Sequence, residues 1–389
     1  MNTTAVGYSQ TRVSEVWNHY VHGDTDLARR RMLDLIYDCD NAELLQRAVA
    51  LSNTIRVQDA SEEAAQALQA LLQAADTIDA PVQHTTALLT VKNVHKSYSK
   101  GSFSLKSMDI ELYPGQIVGV VGENGNGKTT LLRCLAGQLD GDIQSDAYGY
   151  LPEAVHFYYN LKQNTGFIPQ RIPKWHGKLR DNLLFSAAIS GLLGQSAEIM
   201  VDFILERFGL TKFSELTWNQ ISSGYRTRFE IARVVLQRPR LLILDEPLAN
   251  LDINAQQTLL QDLRFLAQSN RHPMGVVITS QQLYEIEKIS DRVLFVKNGQ
   301  GKYNDAPVAP ISTEGAEEKA AFVIELECHE TRDELMKALG DAEGDIRFNG
   351  GVYQITSTTP PNEMLKRIVN AGINPVYYRD ISLSTKRFF

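Results

Sequence analysis

Two short stretches carry the residues best suited to chemistry. The first, Gly122-Glu123-Asn124-Gly125-Asn126-Gly127-Lys128-Thr129-Thr130, has the spacing G-x-x-x-x-G-K-[ST] of a phosphate-binding loop. Its glycines let the backbone wrap closely around phosphates, with N–H groups turned inward as an anion nest. Lys128 can reach β- and γ-phosphates, and the Thr129 hydroxyl can ligate Mg²⁺. The second is Asp245-Glu246, at the end of the apolar run Leu241-Leu242-Ile243-Leu244. Beside such a loop an aspartate can hold Mg²⁺, and the next carboxylate can polarise an attacking water.

The elements that must position these groups are also legible. Ile117-Val118-Gly119-Val120-Val121 predicts a buried strand before the loop, and Leu131, Leu132 and Leu135 a helix after it, whose N-terminus adds partial positive charge. Leu241–Leu244 predicts a central parallel strand that delivers Asp245 and Glu246 to the carboxyl edge of the sheet. Val276–Thr279 is a further buried strand, ending at Ser280-Gln281. Val293–Val296 is another, and the sheet ends near Tyr303. Upstream, Leu88–Val91 and Phe103–Leu112 read as strands, with Tyr98 between them, either an adenine-stacking ring or an ordinary strand aromatic. Tyr148–Leu151 and Thr165–Gln170 read as short strands, and 179–213 as a helical insertion. Ile221-Ser222-Ser223-Gly224-Tyr225-Arg226 opens a helix, as an anion-binding turn or a plain N-cap. Ala249-Asn250-Leu251-Asp252 precedes another helix.

The flanks differ in character. Residues 1–80 predict a small all-helical accessory domain, with Val13, Val16, Trp17 and Tyr20 on one face and Ala64, Leu68, Leu71, Leu72 and Ala75 on another. It packs on its own core or docks a partner. Asp59 or Ser61 can cap its last helix. The run Arg29-Arg30-Arg31 reads as a solvated helix face. Residues 77–86 and 304–319 read as linkers. From residue 320 to 389 the order is βαββαβ, a ferredoxin-like pattern, with a capping box at Thr331 and Glu334 and a hairpin signal at Asn349-Gly350-Gly351.

The 389 residues carry a formal charge of −7 and a pI near 5.7, so no nucleic acid partner is expected. Cys39, Cys134 and Cys328 are too far apart to suggest a disulfide framework. The N-terminal residues have no basic segment followed by an apolar core, and the most apolar stretch, Leu183–Leu193, is too short for a bilayer. The expectation is a cytoplasmic protein, peripheral at the inner face of a membrane if it acts there.

The order of these motifs over residues 87–304 resembles the ATP-binding cassette (ABC) ATPases. The resemblance implies a P-loop NTPase α/β core with an α-helical subdomain at about 176–222, preceded by the all-α domain and followed by the ferredoxin-like α+β domain. It implies ATP and Mg²⁺ as cofactors. In that frame Tyr98 stacks on adenine, while Gly122, Asn124, Gly125, Asn126, Gly127, Lys128, Thr129 and Thr130 cradle the phosphates. Gln170 is the Q-loop glutamine, counted with Thr129 and Asp245 around the metal. Ser222 and Gly224 belong to the signature motif, and Asp252 to the D-loop. Glu246, Gln281 and Lys128 are the expected catalytic residues. Two positions depart from the family pattern. The signature reads Ile-Ser-Ser-Gly-Tyr, with a Gly224-Tyr225-Arg226 variant similar to exporters of the second type, and Gln281 replaces the switch histidine. The implied partners are a second copy of the subunit and a membrane-spanning permease. The alternatives are a soluble ABC ATPase that remodels an assembly, or a nucleotide-binding scaffold of low turnover.

Overall fold

The computed structural model describes residues 5–58, 61–75, 86–98, 104–106, 108–151, 157–249, 251–281, 283–303, 322–328, 330–339, 346–349 and 352–382. Asp59 as a cap, the linker stretches 77–85 and 304–319, Phe103, Asn250, Ala321, Asp345 and the Gly350-Gly351 turn lie outside them.

Four helices open the chain: α1 (Ala5–Val21), α2 (Thr25–Tyr37), α3 (Ala42–Gln58) and α4 (Glu62–Ala75). The expected face of α4 buries whole, at Ala64, Leu68, Leu71, Leu72 and Ala75, whereas on α1 only Val16 and Tyr20 are buried and Val13 and Trp17 stay partly exposed; α2, with Met32, Leu33 and Ile36 in the core, packs against both helices. The Asn41 side chain accepts from the N–H groups of Glu43 (2.9 Å) and Leu44 (3.1 Å), and Ser61 Oγ accepts from Ala64 N (3.2 Å), so α3 and α4 start at side-chain caps.

The arginine run corrects the sequence reading. Arg29 is only 8% exposed and faces Glu206, 177 residues away, at 3.2 Å; the guanidinium of Arg31 lies 3.4 Å from the centre of the Phe265 ring. A short helix cannot solvate every residue of such a run, because its period turns successive positions to different sides. These helices and the nucleotide-binding core belong to one compact unit.

The core begins with β1 (Leu89–Val91), β2 (Lys96–Ser97), β3 (Ser104–Leu105) and β4 (Ile110–Leu112). The single strand expected over 103–112 is two strands, because the segment changes partner: β3 pairs with β2 and β4 with β1, both antiparallel. β5 (Ile117–Val121) leads into α5 (Lys128–Leu135). The strand expected at Tyr148–Leu151 is replaced by a 3₁₀ turn at Ser145–Ala147 and one isolated bridge, Leu89 to Tyr148. The chain turns back there. Gly149 N donates to Leu88 O (3.0 Å), and any Cβ at Gly149 would stand 2.3 Å from Ala87 O. A helix that the sequence reading missed, α6 (Phe157–Asn164), follows and runs directly into β6 (Thr165–Ile168).

The insertion is two helices, α7 (Leu179–Ile189) and α8 (Gly194–Arg207), then α9 (Ser223–Val235) returns to the sheet. β7 (Leu241–Leu244), α10 (Ile253–Ala267), β8 (Gly275–Ser280), α11 (Leu283–Ile289), β9 (Arg292–Lys297) and β10 (Gln300–Tyr303) complete a sheet of order β10-β9-β5-β8-β7-β6. β5, β7 and β8 are buried at every residue, as expected of strands covered on both faces. The parallel register pairs Val121 with Ser280, Ile278 with Leu244, and Leu244 with Ile168. Four strands thus end side by side at one edge.

The C-terminal unit runs β11 (Phe322–Glu327), α12 (Arg332–Leu339), β12 (Ile346–Asn349), β13 (Val352–Ser357), α13 (Pro361–Asn370), β14 (Tyr377–Asp380). Its sheet order is β12-β13-β11-β14, with every neighbouring pair antiparallel. Ile324, Leu326 and Ile355 of the sheet pack with Leu335, Met364 and Ile368 of the helices. The capping box forms: Thr331 N donates to Glu334 Oε2 (2.8 Å), and Glu334 N to Thr331 Oγ1 (3.4 Å).

Candidate functional site

The phosphate loop stands where the register puts it, between β5 and α5. Gly122 cannot be replaced without movement, since a Cβ there would lie 2.2 Å from Val296 O. Gly127, at φ 103°, opens α5 from a backbone conformation that side chains disfavour. The Asn126 side chain anchors the loop by accepting from Asn298 N (2.9 Å). The loop is therefore shaped by its own glycines and by contact with the neighbouring turn.

Lys128 is 5% exposed, and its ammonium donates to Gly122 O (2.6 Å) and Glu123 O (3.2 Å) within the loop. It lies 3.7 Å from Glu246 Oε1. Thr129 Oγ1 donates to Asp245 Oδ2 (2.9 Å), joining the start of α5 to the end of β7. Glu246 has φ 49°, a left-handed conformation unusual for a residue with a side chain. Its carboxylate accepts from Gln170 Nε2 (2.7 Å) and from Gln281 Nε2, 3.0 Å from Oε2 and 3.1 Å from Oε1. Two neutral amides and one ammonium thus hold the carboxylate that the sequence marks as the base.

A cavity of about 340 Å³ opens over this group, lined by Asn124, Gly125, Gly127, Lys128, Thr129, Thr130, Gln170 and Glu246. Tyr98 does not line it; the ring lies just beyond β2 and is 42% exposed. Ser222 and Gly224 also lie outside it, at the start of α9. There a Cβ on Gly224 would be 2.8 Å from the Leu251 side chain, so the signature turn rests against the segment before α10. Asp252 caps α10 by accepting from Ala255 N (2.8 Å). Tyr225, in the position of a family glutamine, packs on Phe213 with ring centres 4.1 Å apart.

The residues present fit Mg²⁺. One carboxylate and one hydroxyl, 2.9 Å apart beside a phosphate loop, suit an ion that takes few protein ligands and completes its shell with phosphate oxygens and water. Among the described residues no group of three or more His, Cys, Asp or Glu could hold a metal without such help. One residue of the site carried no motif signal: Thr279, on β8, whose hydroxyl touches both Asp245 and Glu246. The only hint in the sequence is a hydroxyl at the end of an otherwise apolar buried strand.

Comparison with known proteins agrees with this geometry. Residues 105–249 match the family model described as ABC transporter. A linearmycin resistance ATP-binding protein of Bacillus subtilis is 28% identical over 217 residues, which are 55% of this chain and 67% of that protein. The L-cystine transport system ATP-binding protein of Escherichia coli is 29% identical over 222 residues, 54% of this chain and 87% of that one. A phosphonates import ATP-binding protein of Treponema denticola is 25% identical over 238 residues, 57% and 90% of the two chains. The solved structure of cbiO1 from Clostridium perfringens shares the fold, with a TM-score of 0.50 at 22% identity over 56% of this chain and 87% of that one.

The chain carries the ATP-binding domain of the ABC transporters, with the family's α/β fold over about half its length. It is an ATPase, and its cofactors are ATP and Mg²⁺.

Proposed function

We propose that the protein is the energy-supplying subunit of a transporter: two copies close around Mg-ATP and drive a separate membrane-spanning permease from the inner face of the membrane. The observation that carries this reading is the convergence of Lys128, Thr129, Gln170, Asp245, Glu246 and Gln281 through direct contacts at one sheet edge. Lys128 and the loop N–H groups bind and neutralise the phosphates. Thr129 and Asp245 would hold Mg²⁺, whose charge would offset that on the phosphate oxygens; Gln170, counted with them from the sequence, has its amide nitrogen turned to Glu246. Glu246 orients the attacking water, while the amides of Gln170 and Gln281 fix its carboxylate. The exposed ring of Tyr98 is available to stack on adenine.

Within one subunit Ser222, Gly224 and Asp252 do not line the phosphate cavity, so a role for them at nucleotide requires a second copy. No helix among the described residues is long and apolar enough to cross a membrane, and in this reading a separate permease chain supplies the span. The Gly224-Tyr225-Arg226 variant and the C-terminal unit, which we assign a ferredoxin-like topology, favour an exporter. The relatives' names span resistance and import, and direction is a matter for transport assays. The test is purification of the tagged chain from detergent-solubilised membranes. A membrane-spanning protein should co-purify in stoichiometric amount. Recovery only with soluble assemblies would overturn the transport reading in favour of a remodelling ATPase.

A further inference from the structure

Thr279 is fully buried near the end of β8. Its Oγ1 lies 2.8 Å from the backbone N of Glu246 and 2.9 Å from Asp245 Oδ1. A hydroxyl has one proton to give and lone pairs to receive. Glu246 N–H can only donate, so it occupies a lone pair. The hydroxyl proton then goes to the Asp245 carboxylate, which gives a stronger bond than the Leu244 carbonyl at 3.4 Å. The threonine is therefore oriented in one way.

This arrangement constrains both acidic residues. Asp245 is gripped by two threonine hydroxyls, Thr129 on Oδ2 and Thr279 on Oδ1, from α5 and β8 respectively. Glu246 has its left-handed backbone, φ 49°, tied down through its own N–H. Such conformations persist where the surroundings over-determine them, and they cluster at functional sites. We infer that Thr279 is a positioning residue for ATP hydrolysis: its single hydroxyl sets the rotamer of the metal-binding Asp245 and holds the backbone of Glu246 so that the two carboxylates diverge. One points to Thr129 and the other to Gln170 and Gln281. This rests on the assignment of Asp245 to Mg²⁺ and Glu246 to water.

Thr279→Val keeps the shape and removes the hydroxyl, leaving the Glu246 N–H and Asp245 Oδ1 without this partner. Thr279→Ser keeps the hydroxyl. In the full-length protein, Thr279→Val should lower ATP turnover by about 10- to 100-fold, the effect of losing one hydrogen bond to a charged group. Thr279→Ser should stay within about threefold of wild type, as the hydroxyl and its partners are retained. ATP binding in EDTA should be unchanged in Thr279→Val, whereas the gain in affinity on adding Mg²⁺ should shrink. Deuterium uptake in the peptide containing residues 241–249 should quicken in Thr279→Val alone. Wild-type turnover in Thr279→Val, equal loss in both variants, or equal loss of ATP binding with and without Mg²⁺ would each overturn the inference. Failure of the wild type itself to release phosphate with Mg²⁺ would overturn the water-orienting role of Glu246 instead. The Mg²⁺-dependent binding and the exchange data would then still judge the contact to Asp245.

Discussion

Two polar networks in this protein are built from the same residue types and do different things. The first surrounds Asp245 and Glu246 at the edge of the sheet and opens on a cavity. The second lies between the N-terminal helices and the core, with Asp34, Asp38 and Glu206 buried. There Glu206, with no exposed surface, accepts from Arg29 (3.2 Å), Ser52 (2.5 Å), Thr211 (2.7 Å) and Arg56. Asp34 pairs with Arg207. Asp38 holds Arg12 (2.7 Å) and Ser269 (2.6 Å), and Asp40 holds Arg238 (2.6 Å). Acidic residues at and just beyond the end of α2 thus reach α8, the turn after α9 and the turn after α10. The first network opens on a cavity that can admit a ligand; in the second the carboxylates are met by protein donors. Burial dominates the second: desolvation pushes the Asp262 carboxyl up to about 6 even though Arg207 opposes the shift. A buried pair of this kind fixes register more surely than it adds net stability, because desolvation offsets most of the attraction. The second network is a brace across separate parts of the core.

The sharpest break between the two networks is Glu246→Gln. The amide cannot accept a proton or polarise water, so turnover should fall by roughly 10²–10⁴-fold. Mg-ATP binding and thermal stability should be retained. An ATP-bound dimer should accumulate on size-exclusion chromatography with ATP. Normal turnover would move the base elsewhere.

Asp34→Ala is the converse. It strands Arg207, whose side chain is 3% exposed, without its partner. Removing one member of a buried pair typically destabilises by about 3–5 kcal/mol. Urea unfolding should show that loss, while turnover per folded molecule changes little. A large fall in turnover with stability intact would mean that the brace also acts on the catalytic site.

Gln281→Ala tests the departure from the family pattern. The amide donates to Glu246, and Gln170 donates to the same carboxylate, so the loss is partly covered. Turnover should fall by about tenfold, near the lower end for a hydrogen bond to a charged group. ATP affinity should be unchanged, and no titration near neutral pH should be traceable to this position, since an amide does not ionise. Equal turnover in both proteins would make Gln281 a bystander.

The first network was largely legible because its chemistry dictates residue types at fixed local spacing. Glycines must bend around phosphate, Lys128 must follow them, and Asp245 must end an apolar strand. The second had no such signature. Arg29 and Glu206 are 177 positions apart, and either partner could have been replaced by other polar or apolar pairs. Alone, Arg29-Arg30-Arg31 looks like an exposed helix face; what covers Arg29 and Arg31 is the arrival of Glu206 on α8 and Phe265 on α10. Thr279 escaped for a related reason. Its role depends on the parallel register that sets β8 beside β7, which no local pattern encodes.

The smallest expected effect lies in the brace, at His272. The ring packs edge-on to Tyr37 with centroids 6.3 Å apart, close to Asp38, Asp40, Arg238 and Arg271, and its Nε2 has no hydrogen-bond partner among the described residues. Burial holds its pKa below the usual histidine value; Arg238 and Arg271 add to this, and Asp40 and Asp38 oppose it. Protonation would add a positive charge to a partly desolvated ring already close to Arg238 and Arg271. The sign follows from linkage. With a folded pKa below the unfolded one, the unfolded chain binds the proton first as pH falls. The stability contributed by neutral His272 is therefore complete above about pH 6.5, the ordinary histidine value, and is lost as pH falls toward the folded pKa. Asp262 runs the other way: its raised pKa makes the fold less favourable as pH rises from the ordinary aspartate range toward about 6. The wild-type profile mixes the two, so the informative quantity is the difference between wild type and His272→Gln. Glutamine cannot ionise, and the gap in Tm between the two proteins should be constant from pH 8 to about pH 6.5 and then change in favour of the variant below it. The change should amount to a few degrees at most for a chain of this size. A gap that stays flat down to pH 5 would mean that the ring protonates as freely in the folded protein as in the unfolded chain, and that the second network does not exclude charge at its edge.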